Sequence, residues 1–291
     1  MDTPFSFPSF KQMYPDEKRP LKLLREYLRY AWRKFYCYRE YAALIDWLNQ
    51  DRFWVTLFTE LPIRQETVSY KFCDNRLNKS QRLQAVIRHF EVARLLFGDS
   101  FCRRLLLEKS VKLADLTEEL SIYLNINNID TTEGFFSINI RNQTKSSLYD
   151  ASFTFLSEQA LLIASIQGPK GEYAQDVVKN ATKQLHGVRP MYMLVNVFRL
   201  LSAGLNCVLL GIPHKAQAKY RWNDSSKLLF NYDEFWQDNG GKLNAKGYWQ
   251  LPLEIERKTL EDIASKKRSM YRKRYEMFDN MQQQFCLFKK V

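Results

Sequence analysis

Six residues, Gln167-Gly168-Pro169-Lys170-Gly171-Glu172, lie between an aliphatic stretch over 161–166 and a helical pattern that begins near Tyr173. Glycines between a strand and a helix N-terminus can leave backbone N–H groups facing a phosphate or pyrophosphate, and the positive helix end favours the same anion. A nucleotide or coenzyme A would suit such a loop, with Gln167, Gly168, Lys170 and Gly171 as its candidate binding residues. The spacing matches neither G-x-x-x-x-G-K-S/T nor G-x-G-x-x-G, and Pro169 removes one donor, so the residues also read as an ordinary turn.

A second cluster, Thr182-Lys183-Gln184-Leu185-His186-Gly187-Val188-Arg189-Pro190, spans the junction of two helices. Lys183, His186 and Arg189 could converge on an anion, and an imidazole at position 186 exchanges protons near neutrality. The plain alternative is a histidine at a helix C-terminus followed by a glycine cap and a proline start. In Tyr232-Asp233-Glu234-Phe235-Trp236 two carboxylates could divide acid and base roles, which makes Asp233 a second acid–base candidate. If the segment is extended, neighbouring side chains point to opposite faces and the two acids need not meet. His89 and His214 are weaker candidates. There is no H-E-x-x-H, G-x-S-x-G or Cys/His metal spacing, so no metal site is expected.

The elements that must carry these residues follow from periodicity. Residues 1–15, with three prolines, read as an extended lead-in. Leu21, Leu24, Leu28, Ala31, Trp32 and Phe35 fall at helical spacing beside Lys22, Arg25, Arg29 and Arg33, which predicts an amphipathic basic helix. Further helices are expected over 39–49 and 53–60, and another from a cap at Asn78 or Ser80 to Gly98. Beyond Val111 the period becomes two, and strands are expected over 121–126, 135–140, 148–155 and 161–166 as an antiparallel meander. Helices should follow over about 174–185 and from Pro190 to about Gly204, then a buried strand over 207–212. Residues 220–249 read as irregular and aromatic, with a turn at Asn239-Gly240-Gly241. A long helix is expected after Pro252, with Lys266-Lys267-Arg268-Ser269-Met270-Tyr271-Arg272-Lys273-Arg274 in its middle.

The 291 residues can bury a core without disulfides, and the five cysteines lie far apart with no C-x-x-C pair, which fits a reducing compartment. The N-terminus lacks the basic start and apolar run of a signal peptide, and no apolar stretch reaches the length of a membrane span. A cytoplasmic protein is expected, with a peripheral place at the inner membrane as a further option. The net charge of +12 calls for an acidic partner: nucleic acid, anionic lipid or an acidic carrier protein. With 45% hydrophobic and 14% aromatic residues, wholesale disorder is excluded.

Gln167-Gly168-Pro169, Thr182-Lys183 with His186-Gly187 and Arg189-Pro190, Tyr232-Asp233 with Trp236, and Lys267-Arg268 with Tyr271 and Arg274 resemble the VirK/YbjX family of Gram-negative bacteria, over nearly the whole chain. The resemblance implies a cytoplasmic factor linked to envelope stress, antimicrobial-peptide resistance and virulence, and supplies no catalytic residue. At fold level the order of elements is also similar to GNAT-like acyltransferases, whose strand-to-helix loop holds a pyrophosphate. That similarity implies acyl-CoA, or an acyl carrier protein, as donor.

The expectation is therefore a mixed α+β protein, helical over 1–110 and built on a helix-covered antiparallel sheet over 111–291. Its expected activity is acyl transfer near Gln167–Gly171, with His186 or Asp233 as acid–base group and Lys183 and Arg189 binding an anion. The competing expectation is a non-enzymatic module that docks on anionic membrane or nucleic acid through its basic helices.

Overall fold

Alternating and helical apolar patterns resolve into eleven α-helices, two 3-10 turns and eight strands among the residues described by the computed structural model, 3–220 and 230–288, with side chains described through Phe285. The N-terminal part consists of α1 (Phe10–Met13), α2 (Pro20–Tyr36), α3 (Tyr38–Asp51), α4 (Val55–Glu60), a short 3-10 turn (Pro62–Gln65), α5 (Glu66–Ser69), α6 (Lys79–Phe97) and α7 (Asp99–Glu108). A reciprocal cap starts α6: the Gln81 N–H donates to Asn78 Oδ1 at 3.0 Å and the Asn78 N–H donates to Gln81 Oε1 at 2.9 Å. Gly98, at φ +81°, ends it.

The meander then runs through β1 (Ser110–Asp115), β2 (Leu120–Ile126), β3 (Phe136–Asn142), β4 (Ser147–Ser157) and β5 (Ala160–Gln167). After it come α8 (Ala174–Gln184), α9 (Pro190–Gly204), β6 (Val208–Gly211), a 3-10 turn (His214–Ala216), α10 (Tyr232–Asp238), β7 (Lys242–Leu243), β8 (Trp249–Leu251) and α11 (Ser265–Phe288). The strands form one sheet in the order β1-β2-β3-β4-β5-β6-β8-β7. Among the described residues every pairing is antiparallel except that of β5 with β6, which runs parallel from Ala160↔Val208 to Ile163↔Gly211. A parallel pair needs a crossover, and α8 and α9 supply it. Residues 161–166 of β5 are all buried, so both sheet faces are covered, and one hydrophobic cluster extends from Cys37 to Phe285. The protein is α+β, as its pattern indicates.

Several elements differ from expectation. β1 and α7 were not foreseen. Residues 232–238 form a helix rather than an extended run, because the Asn231 side chain accepts the N–H groups of Asp233 and Glu234 and caps its start. The last helix begins at Ser265, not after Pro252. There the buried Arg199 takes the Pro252 carbonyl at 3.0 Å, and Leu253 and Ile255 pack against the core, which keeps the segment from coiling. The basic run thus occupies the first turns of α11. The lead-in contains α1, whose capping box is Ser9 with Gln12.

Candidate functional site

β5 hands the chain to α8 through residues 168–173. A Cβ on Gly168 would lie 2.6 Å from the Tyr149 ring, so glycine is needed for the β4 tyrosine to cover the loop. Gly171, at φ +100°, has open space around it, and Lys170 is exposed. Among the described residues no side chain caps α8, which starts with the Ala174 N–H donating to the Gly171 carbonyl. Burial raises the Tyr149 phenol pKa, and the Arg189 charge opposes that rise; Arg189 itself lines a groove with Gly187, Tyr192 and Arg274.

His186 lies beyond the other end of α8, and the eleven helical residues between put its backbone about 16 Å from the α8 N-terminus. It adopts a left-handed φ of 50°, and its carbonyl accepts Arg274 Nε at 3.0 Å and Nη2 at 2.8 Å. The imidazole pKa is lowered by burial and by the charges of Lys273 and Arg274. It lines an open groove of about 460 Å³ with Glu118, Glu119, Glu276 and Asn280, which does not include the glycine loop. Lys183 is exposed one turn before it. Asp233, the other acid–base candidate, accepts the His214 N–H at 3.0 Å and the Trp249 indole N–H at 2.8 Å through Oδ1. These bonds fix α10 against β8. No hydrogen bond or shared groove among the described residues joins Asp233 to His186.

A different set does converge. Beyond Ile163↔Gly211 the strands part, because the chain after Ile212 turns off at Pro213 while β5 continues to Gln167. Glu133, from the β2–β3 loop, is buried beside this parting. Its Oε2 accepts Ser165 Oγ at 2.8 Å and Gln167 Nε2 at 2.6 Å. Ser165 Oγ is 2.6 Å from Ser152 Oγ, and Ser152 donates to the Glu133 carbonyl at 3.2 Å. Lys219 Nζ lies 3.4 Å from Glu133 Oε1 and 2.9 Å from Asp130 Oδ2, with its side chain partly open to solvent. Burial raises the Glu133 pKa, against the pull of the Lys219 ammonium. Gln167, expected to bind a ligand, spends its amide on this carboxylate.

On the β6 side of the parting, Tyr232 Oη takes both backbone groups of Ile166, and the Trp236 indole N–H donates to the Ile212 carbonyl at 2.8 Å. His214 stands 5.6 Å from Tyr220 and 6.5 Å from Tyr232 between ring centres, and its Nδ1 is buried without a partner among the described residues. Sequence reasoning missed Glu133, Lys219 and the serine pair. The readable signal was Ser165, a polar residue inside the aliphatic run of β5; Lys219 carried none. Among the described residues no group of His, Cys, Asp and Glu is arranged to hold a metal ion, and no helix is long and apolar enough to cross a membrane.

Comparison with known proteins places this chain in a family. A family profile described as a protein of unknown function (DUF535) matches residues 19–286. An uncharacterized protein of Haemophilus influenzae is 55% identical over 279 residues, covering 95% of this chain and 96% of its own. Membrane protein LapB of Mannheimia haemolytica is 31% identical over 219 residues, 74% of this chain and 94% of its own. The uncharacterized protein YbjX of Escherichia coli is 27% identical over 256 residues, 83% of this chain and 78% of its own. No solved structure matches.

Proposed function

The chain belongs to the DUF535 family of proteins of unknown function, the VirK/YbjX group, and from that premise we propose that it transfers an acyl group from acyl-CoA or an acyl carrier protein to an amine or hydroxyl acceptor. The observation that carries the reading is the parting of β5 and β6 beside a buried carboxylate. A strand edge held past its last strand partner by one side chain, the Tyr232 hydroxyl, can pair with an extended thioester arm once that hydroxyl gives way. The loop at Gly168 and Gly171, which carries Lys170, would then face the donor's phosphates. The sheet order around the parallel pair is similar to that of GNAT-like acyltransferases, an analogy of fold.

In this reading Glu133, rather than His186 or Asp233, is the proton acceptor, since a carboxylate with a raised pKa is the better matched base near neutrality. The acceptor nitrogen or oxygen attacks the thioester carbonyl as Glu133 takes its proton. The new C–N or C–O bond forms, the C–S bond breaks, and the departing thiolate receives the proton from Glu133. Lys219 and Ser165 hold the carboxylate in place. Such a cytoplasmic transferase would fit the envelope-stress and virulence roles that the family resemblance implies.

The test is a thermal-shift screen against acyl-CoAs and acylated carrier protein, followed by an assay of thiol release. A donor that binds the native state raises Tm with saturation. Glu133→Gln should keep that shift while thiol release falls roughly 100-fold or more. Absence of a shift with every donor sinks the transferase.

A second reading, a non-enzymatic module that docks on anionic membrane or nucleic acid through its basic helices, is favoured by α11, where Lys266, Lys267, Arg272 and Lys273 are exposed. The name of the Mannheimia relative, a membrane protein, agrees with the first of those partners. Its mark is binding that weakens steeply with added salt and is indifferent to Glu133→Gln.

A further inference from the structure

α2 is built inside out. Its inner side is polar: Glu26 is 8% exposed and accepts Arg25 and Arg29, Tyr30 Oη donates to the Pro8 carbonyl at 2.9 Å, and Arg33 pairs with Glu66 at 2.7 Å. Its outer side is apolar, with Leu21 83%, Leu24 56%, Leu28 60%, Trp32 64% and Phe35 79% exposed. At 100° per residue these five fall within an arc of about 80°, and along the axis they cover about 21 Å. A globular helix turns such a stripe to the core. Here nothing among the described residues covers it.

We propose that α2 is an anionic-bilayer docking element, lying in the membrane interface with this stripe among the acyl chains. The inference deepens the docking reading, on which it rests, by naming one helix and one surface, and it stands whether or not the protein transfers an acyl group. Charge selects the occupant. Residues 18–39 carry eight Lys and Arg against the one acid Glu26, and Arg25 and Arg29 border the stripe with side chains more than half exposed. An apolar stripe edged by cations and holding a tryptophan is the pattern of a helix that lies in a headgroup layer. Nucleic acid would engage the cations but leave four aliphatic or phenyl side chains in water. A second copy of the chain would bring two strongly basic helices together.

Flotation with vesicles of equal parts phosphatidylglycerol and phosphatidylcholine, and with phosphatidylcholine alone, tests it. Wild type should float with the anionic vesicles, and Leu28→Asn/Trp32→Asn should lower the partition coefficient roughly 100-fold or more. Arg25→Gln/Arg29→Gln should lower it about 5-fold per charge. Because Leu28 and Trp32 are exposed, thermal melting of their double variant by circular dichroism should be unchanged, which separates lost docking from lost folding; the arginine variant also unpairs the buried Glu26, so its flotation is read at a temperature where its own melt shows it folded. If Lys267→Gln/Arg272→Gln abolishes flotation and the α2 variants do not, the inference is overturned while the docking reading survives. It is overturned in the same way if the protein ignores both vesicles and binds a duplex oligonucleotide, or if Trp32→Asn splits a dimer in sedimentation equilibrium. Binding to neither vesicle nor oligonucleotide removes both.

Discussion

Tyr232 Oη sits 2.9 Å from both the nitrogen and the carbonyl oxygen of Ile166, accepting from one and donating to the other. One phenol from α10 thus does for β5, past the parting, what the next strand does before it. Both partners are buried, so neither backbone group has water to fall back on. A donor arm that paired with this edge would have to displace the tyrosine, which makes α10 the element that opens or closes it.

Tyr232→Phe keeps the ring and removes the hydroxyl. It should lower unfolding free energy by about 1–3 kcal/mol, the usual penalty for a buried group left unpaired. Urea denaturation reads this directly, and an unchanged midpoint would mean that the phenol is replaceable by solvent.

Gly211 closes β6 against the Trp236 indole: a Cβ there would stand 2.5 Å from the ring, and the tryptophan is fully buried. Since the indole is also tied to the Ile212 carbonyl, it cannot swing away. Gly211→Ala should destabilise by roughly 1–3 kcal/mol through overpacking. Trp236→Phe in the same background should recover part of that loss, and a double-mutant cycle gives the coupling.

His89, on α6, is wholly enclosed by Phe90, Phe135, Phe136, Phe153 and Phe155, and its Nδ1 accepts the Phe155 N–H at 3.2 Å. Burial pushes its pKa down to about 3, so it folds neutral. An unfolded histidine takes its proton near pH 6.5, and the native one does not until about 3. The stability from this group is therefore complete above pH 6.5 and declines by about 1.4 kcal/mol per unit as pH falls toward 3. His89→Phe removes that dependence. The stability gap between wild type and variant should be wider at pH 7.5 than at pH 4.5, and an equal gap at both would contradict the assignment.

How much of this was legible in the chain depends on the range of the interaction. The Asn78 cap, the Gly98 stop, strands β2 to β5 and the helices of the crossover rest on local pattern, and they stand where the periodicity put them, to within a few residues. The helix at Tyr232 was hidden because its cap is a single asparagine at the edge of an aromatic segment. The delayed start of α11 depends on Arg199, more than fifty residues away. The glycine loop was visible as a motif, yet the reason for Gly168 is a tyrosine on another strand. Glu133 meets Ser165, Gln167 and Lys219 only through tertiary folding, and one sequence cannot announce such a meeting. For α2 the periodicity found the apolar stripe but not the direction it faces, since amphipathicity fixes an angle on the helix and not the side on which the protein lies.

The parallel pairing of β5 with β6 also sets an order of assembly. β1 to β5 are joined by short connections, so their contacts close small loops, whereas β6 can pair only after all of α8 and α9 has been gathered in. Loop-closure entropy and contact order make the first set quick and the second slow. The line where the two strands meet is thus a seam between an early-folding and a late-folding block. In pulse-labelled refolding, amides of β3 and β4 should gain protection before those of β6; simultaneous protection would show that the two blocks form as one.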